Sequence, residues 1–143
     1  MREMTMDDYE QVHDLWMRTE NLGVNPDDDS FERIEKYLDR NPHLSFVEER
    51  EGKIVGVILS GHDGRRGSLH HLAVDKNYRR QGIGKALCEE AIKALKKENI
   101  IRVALFVYKD NDAGTDFWKT LDFNPREDLT YMDRNLLEII TVN

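Results

Sequence analysis

Three basic side chains, Arg79, Arg80 and Lys85, crowd around two glycines, Gly82 and Gly84, in the stretch Val74-Asp75-Lys76-Asn77-Tyr78-Arg79-Arg80-Gln81-Gly82-Ile83-Gly84-Lys85-Ala86-Leu87. An apolar segment leads into it and a long pattern of helical period leads out, so it reads as strand, loop and helix start. Glycine lacks a Cβ, which lets the backbone turn tightly and lets a bulky group come close. The first amides of a helix have no internal partners and lie at the positive end of its dipole. A phosphate satisfies both, and the loop reads as a pyrophosphate cradle. It is not a Walker loop, since no Gly-Lys-Ser/Thr follows four spacer residues, and it lacks the third glycine of a dinucleotide fingerprint. Just upstream stand two adjacent histidines, His70 and His71, whose side chains titrate near neutral pH.

These groups need a scaffold. Residues 1–5 suit a short edge strand. A helix from Met6 places Tyr9, Val12, Leu15, Trp16 and Thr19 on one side, and Gly23, Asn25 and Pro26 break it. Asp27-Asp28-Asp29-Ser30 opens a second helix as a solvated start, Asp29 and Glu32 having capping-box spacing and Phe31, Ile34 and Leu38 forming the buried stripe. A strand from Leu44 turns at Glu51-Gly52 into residues 54–59, apolar on both faces and so central. Gly61, His62, Asp63 and Gly64 turn the chain into a third strand over 68–74, which feeds the loop. The helix after the loop repeats Ile83, Leu87, Ala91 and Leu95, with Cys88 a core thiol beside them. Residues 100–107 form another strand, Ala113, Phe117 and Leu121 mark a short helix, and residues 129–137 read as a final strand. The order β-α-α-β-β-β-α-β-α-β gives an α/β (α+β) fold with a mixed, mostly antiparallel sheet and helices on both faces.

At 143 residues the chain suits a single domain, 1–143. Hydrophobic content of 39% with 34% charged residues reads as a soluble protein, and no apolar run is long enough to span a bilayer. One cysteine forbids an internal disulfide, and with no signal-peptide pattern at the start this points to the cytoplasm. A net charge of −7 argues against nucleic acid as a partner and suits a cationic amine. No His/Cys group has metal-ligand spacing, and His13, His43 and His62 read as surface residues. The oligomeric state is not encoded legibly, and a homodimer is compatible with the sequence.

Arg79-Arg80-Gln81-Gly82-Ile83-Gly84 resembles the coenzyme A loop of the GNAT N-acetyltransferase superfamily. Two more stretches carry the likeness in order. Leu72-Ala73-Val74-Asp75 is similar to the family's fourth strand, and Asn111-x-Ala113-x-x-x-Phe117-Trp118-x-x-Leu121-x-Phe123 to its Asn-x-Ala…Phe-Tyr…Leu-Gly-Phe segment. The opening Arg2-x-Met4-Thr5-x-x-Asp8 looks like the usual start. The likeness covers nearly the whole chain and extends to small bacterial members close to ribosomal-protein N-terminal acetylases.

The resemblance implies an acetyl-CoA-dependent N-acetyltransferase acting on a primary amine, a small molecule or a protein amine, by direct attack on the thioester. The reading from another class is a non-catalytic acyl-CoA-binding or sensing module. Pantetheine would lie against Leu72, Ala73 and Val74, the pyrophosphate on Arg79, Arg80, Gln81, Gly82, Ile83, Gly84 and Lys85, and Asn111 and Phe117 would flank the thiol end. The Val74 N–H would stabilise the oxyanion, and the acceptor would enter past Trp16 and Glu20. The sequence also departs from the family. Trp118 replaces the tyrosine that protonates the thiolate, leaving Tyr108 or Tyr131 for that role. Ser68 and Phe106 occupy places where relatives carry a glutamate base. Adjacent on a strand, His70 and His71 point to opposite faces, and His70, with the parity of Ser68, is the expected base.

Overall fold

The computed structural model describes residues 1–138. The chain divides into two compact units, Met1–Phe106 and Val107–Asn143.

The first unit holds a five-stranded sheet in the order β1-β2-β3-β4-β5: β1 (Arg2–Glu3), β2 (Phe46–Arg50), β3 (Lys53–His62), β4 (Gly67–Val74) and β5 (Val103–Ala104). Neighbours are antiparallel except β4 and β5, which run parallel. Helices α1 (Tyr9–Met17) and α2 (Phe31–Arg40) precede the meander, and α3 (Ile83–Lys97) follows it. Each fully folded strand has a local reason. Glu51 and Gly52 both take positive φ, 52° and 78°, between the paired residues Arg50 and Lys53. That is the two-residue turn whose twist matches a hairpin. The β3–β4 turn is closed by Asp63, whose Oδ1 accepts from the Arg65 and Arg66 amides at 2.8 and 2.7 Å. It therefore lies later than the sequence suggests, and Gly61 and His62 belong to β3.

β3 is buried on both faces because helices cover both. A Cβ at Gly56 would meet Ile83 and Leu87 of α3, whereas one at Gly61, of opposite parity, would meet Tyr37 of α2 and Asn41, which caps that helix. The α1/α2 side gathers Val12, Leu15, Trp16, Ile34, Val57, Leu59 and Ala73 into one core. The α3 side buries Ile83, Leu87, Cys88, Ala91 and Leu95, the stripe expected from the four-residue repeat. At the N-terminus Arg2 grips Asp8 with two bonds of 2.8 and 2.7 Å, and the Asp8 carboxylate accepts the Thr5 amide.

Three expectations change. The cap of α2 is Ser30, whose hydroxyl accepts from the Arg33 amide, and not Asp29. The strand expected over 100–107 shortens to Val103–Ala104, paired only with Gly67 and Ser68. Residues 129–137 form no strand, and Leu129, Met132, Leu136 and Leu137 are exposed. Apolar alternation makes a strand only where a sheet edge offers it a ladder.

In the second unit α4 (Asp112–Thr120) starts at Asn111, whose Oδ1 accepts from the Gly114 amide at 3.0 Å. Trp118 stands edge-on to Phe117 and Phe123, with ring centres 5.1 and 5.3 Å away.

Leu87 is fully buried between α3 and Gly56. Leu87→Ala is expected to cost about 2–5 kcal/mol in denaturant unfolding. A loss below about 1 kcal/mol would mean that α3 does not seal this face of the sheet.

Candidate active site

The loop between β4 and α3 has the backbone its residue types suggest. Arg80 and Gly82 both sit at positive φ, 63° and 78°, and Gly82 is the N-cap of α3. Nothing lies within 4 Å of where a Gly82 Cβ would stand. The first helical bond runs from the Ala86 N–H to the Gly82 C=O at 3.0 Å. The amides of Ile83, Gly84 and Lys85 therefore have no acceptor within the helix. Left-handed and helical residues in succession aim their N–H groups into one concavity, which suits an anion. The exposed Arg79, Arg80, Gln81 and Lys85 surround it. Gln81 accepts from Arg50 Nη1 at 3.2 Å, and Lys85 lies 3.9 Å from Glu89.

β4 leads to this loop with one edge largely open. Its ladder to β5 ends at Ser68, so among the described residues no strand pairs with 69–74 on that side. The Asp75 N–H donates to the Val55 C=O at 2.8 Å. Main-chain groups alternate along a strand, so Val74, opposite Gly56, turns its N–H and C=O to the open edge. There the Val74 C=O accepts from Arg79 Nε at 3.4 Å. An extended amide chain can pair with such an edge as an added strand would.

The inner edge of β4 carries an irregularity that no spacing shows. Val57 pairs with Ala73, but Leu59 pairs with His70, so two β4 residues, His71 and Leu72, oppose Ile58 alone. This is a β-bulge, and His71 sits in it at φ 52°. The bulge breaks the alternation that separates adjacent side chains. His70 and His71 consequently both face α1 and α2, correcting the expectation of opposite faces. The His70 ring lies 6.1 Å from Tyr37, with Nε2 3.1 Å from Ser68 Oγ. The His71 ring lies edge-on to Trp16 at 5.0 Å, and its Nε2 is 2.8 Å from Asp29 Oδ2.

Asp29 is not the solvated helix-start residue its setting suggests. It is 6% exposed, at the end of a loop that fixes it on every side. Its Oδ2 also accepts the Asn25 amide at 2.9 Å, its N–H donates to the Asn25 C=O, and its C=O accepts from the Tyr9 hydroxyl at 2.6 Å. Trp16 is fully buried and donates Nε1–H to the His71 C=O at 3.2 Å. It therefore shapes the wall behind His71 rather than lining an entrance. Glu20 is exposed after α1.

Burial, and then the neighbouring His71, push the His70 imidazole below its ordinary 6.5, with Asp29 opposing. Burial raises the Tyr37 phenol to about 12. The Cys88 thiol, buried against the sheet, is pushed up to about 11 and stays protonated, as a core residue should. The remaining expected site residues, Tyr108, Asn111, Phe117 and Tyr131, all belong to the second unit. The Asp29–His71 pair, 42 residues apart in sequence, was not visible in any motif.

Comparison with known proteins bears on this geometry. Residues 9–123 match the family described as acetyltransferase (GNAT). An acetyltransferase of Sodalis glossinidius is 34% identical over 132 residues, 92% of each chain. One of Photorhabdus laumondii is 37% identical over 128 residues, 88% of this chain and 87% of its own. Among solved structures, Ard1 of Thermoplasma volcanium superposes with a TM-score of 0.76 at 25% identity, covering 86% of this chain and 80% of its own. The PaiA N-acetyltransferase of Thermoplasma acidophilum, in complex with coenzyme A, shares the fold with a TM-score of 0.73 at 20% identity, over 84% and 86%. The chain belongs to the GNAT acetyltransferase family and is an enzyme of the acyltransferase class. Among the described residues no helix is long and apolar enough to cross a membrane.

The loop is held from beneath by Asp75, which is 2% exposed. Its carboxylate accepts the Asn77 amide at 2.9 Å and lies 3.1 Å from Arg18 Nη1 and 3.4 Å from Lys53 Nζ. The Asn77 amide, opposed by burial and helped by Arg18 and Lys53, holds the Asp75 carboxyl below its ordinary 3.8. A depressed carboxyl stabilises the fold above its unfolded value, and that stability is lost as pH falls through the lower folded value. Unfolding free energy should therefore drop as pH is lowered below about 4, and Asp75→Asn should flatten that drop while lowering stability at pH 7. An unchanged slope in acid denaturation would show that Asp75 does not carry it.

Proposed function

We propose that this enzyme transfers the acetyl group of acetyl-CoA to a primary amine by direct attack on the thioester, as one 143-residue acetyltransferase domain. The observation that carries this is the left-handed turn at Arg80 and Gly82, which opens the amides of α3 directly beyond the stretch of β4, residues 69–74, whose outer edge no strand pairs among the described residues. A pyrophosphate fits the first feature and an amide-bearing pantetheine arm the second. The coenzyme A complex of the similarly folded PaiA acetyltransferase supports the same ligand here.

In this reading Gly82, Ile83, Gly84 and Lys85 hold the pyrophosphate by their amides, and Arg79, Arg80 and Gln81 flank it. Leu72, Ala73 and Val74 line the arm, and the Val74 N–H, turned outward, is placed to meet the oxyanion formed at the thioester carbon. The family resemblance alone implies roles for Asn111 and Phe117 at the thiol end and for Tyr108 or Tyr131 as the proton donor, all of them residues of the second unit. An ammonium acceptor must lose a proton before it can attack, and the two histidines on the α1/α2 face of β4 are the titratable groups at hand. The acidic surface suits a cationic acceptor in the cytoplasm.

Thermal unfolding with acetyl-CoA, coenzyme A and ATP tests the cradle. A ligand at 100 times its Kd stabilises the fold by about 2.7 kcal/mol, which moves the midpoint visibly. Acetyl-CoA and coenzyme A should shift it and ATP should not. Gly82→Val, a branched residue forced to positive φ, should remove most of the shift. Coenzyme A release should then depend on added amine. No shift at millimolar acetyl-CoA would sink the cosubstrate assignment, and a shift without release by any amine would describe a binding module.

A further inference from the structure

The bulge of β4 builds a carboxylate–imidazole pair whose free nitrogen is available to a substrate. We propose that His71, positioned by Asp29, accepts the proton of the incoming ammonium. This inference rests on the N-acetyltransferase reading and assigns the base within it.

Three observations select His71. First, its Nε2 lies 2.8 Å from the buried Asp29 carboxylate, which fixes the Nε2–H tautomer and leaves a lone pair on Nδ1. Among the described residues Nδ1 makes no hydrogen bond, and the side chain keeps 19% of its surface exposed, enough for an amine to touch. Second, the ring cannot drift. Trp16 packs edge-on against it and donates to its main-chain carbonyl, and Asp29 is itself bound by Asn25 and Tyr9. Third, the residue is held at φ 52°, in a region that non-glycine residues seldom enter. Strain of this kind persists where the surroundings over-determine it, and it gathers at functional sites. His70 has none of these features. Its Nε2 is engaged by Ser68, its ring lies against Tyr37, and among the described residues no carboxylate hydrogen-bonds it. The titratable groups facing His71 are Asp29 from the loop before α2 and His70 beside it on β4.

The proton balance closes. The acceptor arrives as R–NH3+ and gives one proton to His71 Nδ1, and the resulting imidazolium is stabilised by Asp29. The freed lone pair forms the C–N bond at the thioester carbon. The C–S bond then breaks with its electron pair on sulfur, and the second amine proton ends on that thiolate. His71 returns its proton to solvent, so amide, thiol and one released proton account for every atom.

The test measures coenzyme A release against pH with three probe amines: spermidine, Nα-acetyl-lysine and a hexapeptide with a free α-amino group. Thermal shifts with acetyl-CoA run in parallel to report an intact fold and cradle. His71→Gln should lower kcat/KM by about 10²–10⁴-fold, the usual worth of a general base, and abolish the acid limb of the profile while the acetyl-CoA shift survives. Asp29→Asn should move that limb to lower pH, since the imidazolium loses its counter-charge. Nitrogen NMR of the histidine rings should show His71 neutral with its proton on Nε2 in the wild type. Turnover that persists in His71→Gln with its acid limb intact would overturn the assignment, as would an acid limb removed by His70→Gln instead. If His71→Gln loses the acetyl-CoA shift, the Asp29→Asn limb decides, and an unmoved limb counts against the pair. If the wild type releases coenzyme A with none of the amines, the transferase reading itself falls and the base falls with it.

Discussion

The one-residue mismatch between β3 and β4 is the constraint on which the site depends. On a regular strand His71 would share the face of Leu69, which lies with Gly67 on the α3 side, where Leu95 and Ile100 pack. The imidazole would then be buried among aliphatic groups without a partner. The bulge turns it to the other face, where the Trp16 N–H takes its carbonyl and Asp29 takes its ring. A left-handed non-glycine residue costs on the order of 1–3 kcal/mol. Two hydrogen bonds, one of them to a charged and buried carboxylate, are of the size needed to offset it. Bulges recur next to active sites for this reason: they re-aim one side chain without disturbing the ladder on either side.

The same strand separates two kinds of charge. Its C-terminal end delivers the chain to open amides and exposed cations, and its middle presents a histidine backed by a carboxylate. Three residue steps of strand separate His71 from Val74, roughly 10 Å at the usual rise. An anionic ligand held at the loop and a cationic one drawn to Asp29 and His71 would thus meet near Val74 without sharing a subsite. Asp75 reinforces the arrangement from below. It ties Arg18 of the segment after α1 and Lys53 of β3 to the point where β4 becomes loop, so the cradle is anchored to both the sheet and the helical layer.

Much of this was legible in the sequence because it is local. The phosphate loop is contiguous, its glycine takes the conformation that glycine uniquely tolerates, and the α3 stripe follows from a four-residue repeat. The hairpin turn at Glu51 and Gly52 was equally plain. What stayed hidden is non-local. Parity arguments assume a regular strand, and nothing in Ser68-Leu69-His70-His71-Leu72 announces a bulge. Asp29 reads as one of three helix-start aspartates, because its fate is decided by a fold-back that brings His71 to it. The strand read at residues 129–137 fails for the complementary reason: pattern without a partner strand does not make a ladder.

The departures from the family pattern become intelligible on this frame. A carboxylate base at the place of Ser68 would sit beside His70 and the half-buried Tyr37. Serine there is small and neutral, and it hydrogen-bonds His70 without adding a charge beside it. Phe106 likewise contributes no charge beyond the short β5. Moving the titratable group to the bulge changes its chemistry as well as its place. A carboxylate base ordinarily titrates near 4, several units from a neutral working pH, whereas an imidazole ordinarily titrates near 6.5. General base catalysis is most effective when the base titrates close to the working pH. A histidine on a bulge therefore replaces the glutamate with a group whose ordinary range lies nearer the working pH, and the imidazole, two main-chain contacts and a tyrosine hold the buried Asp29 in place beside it.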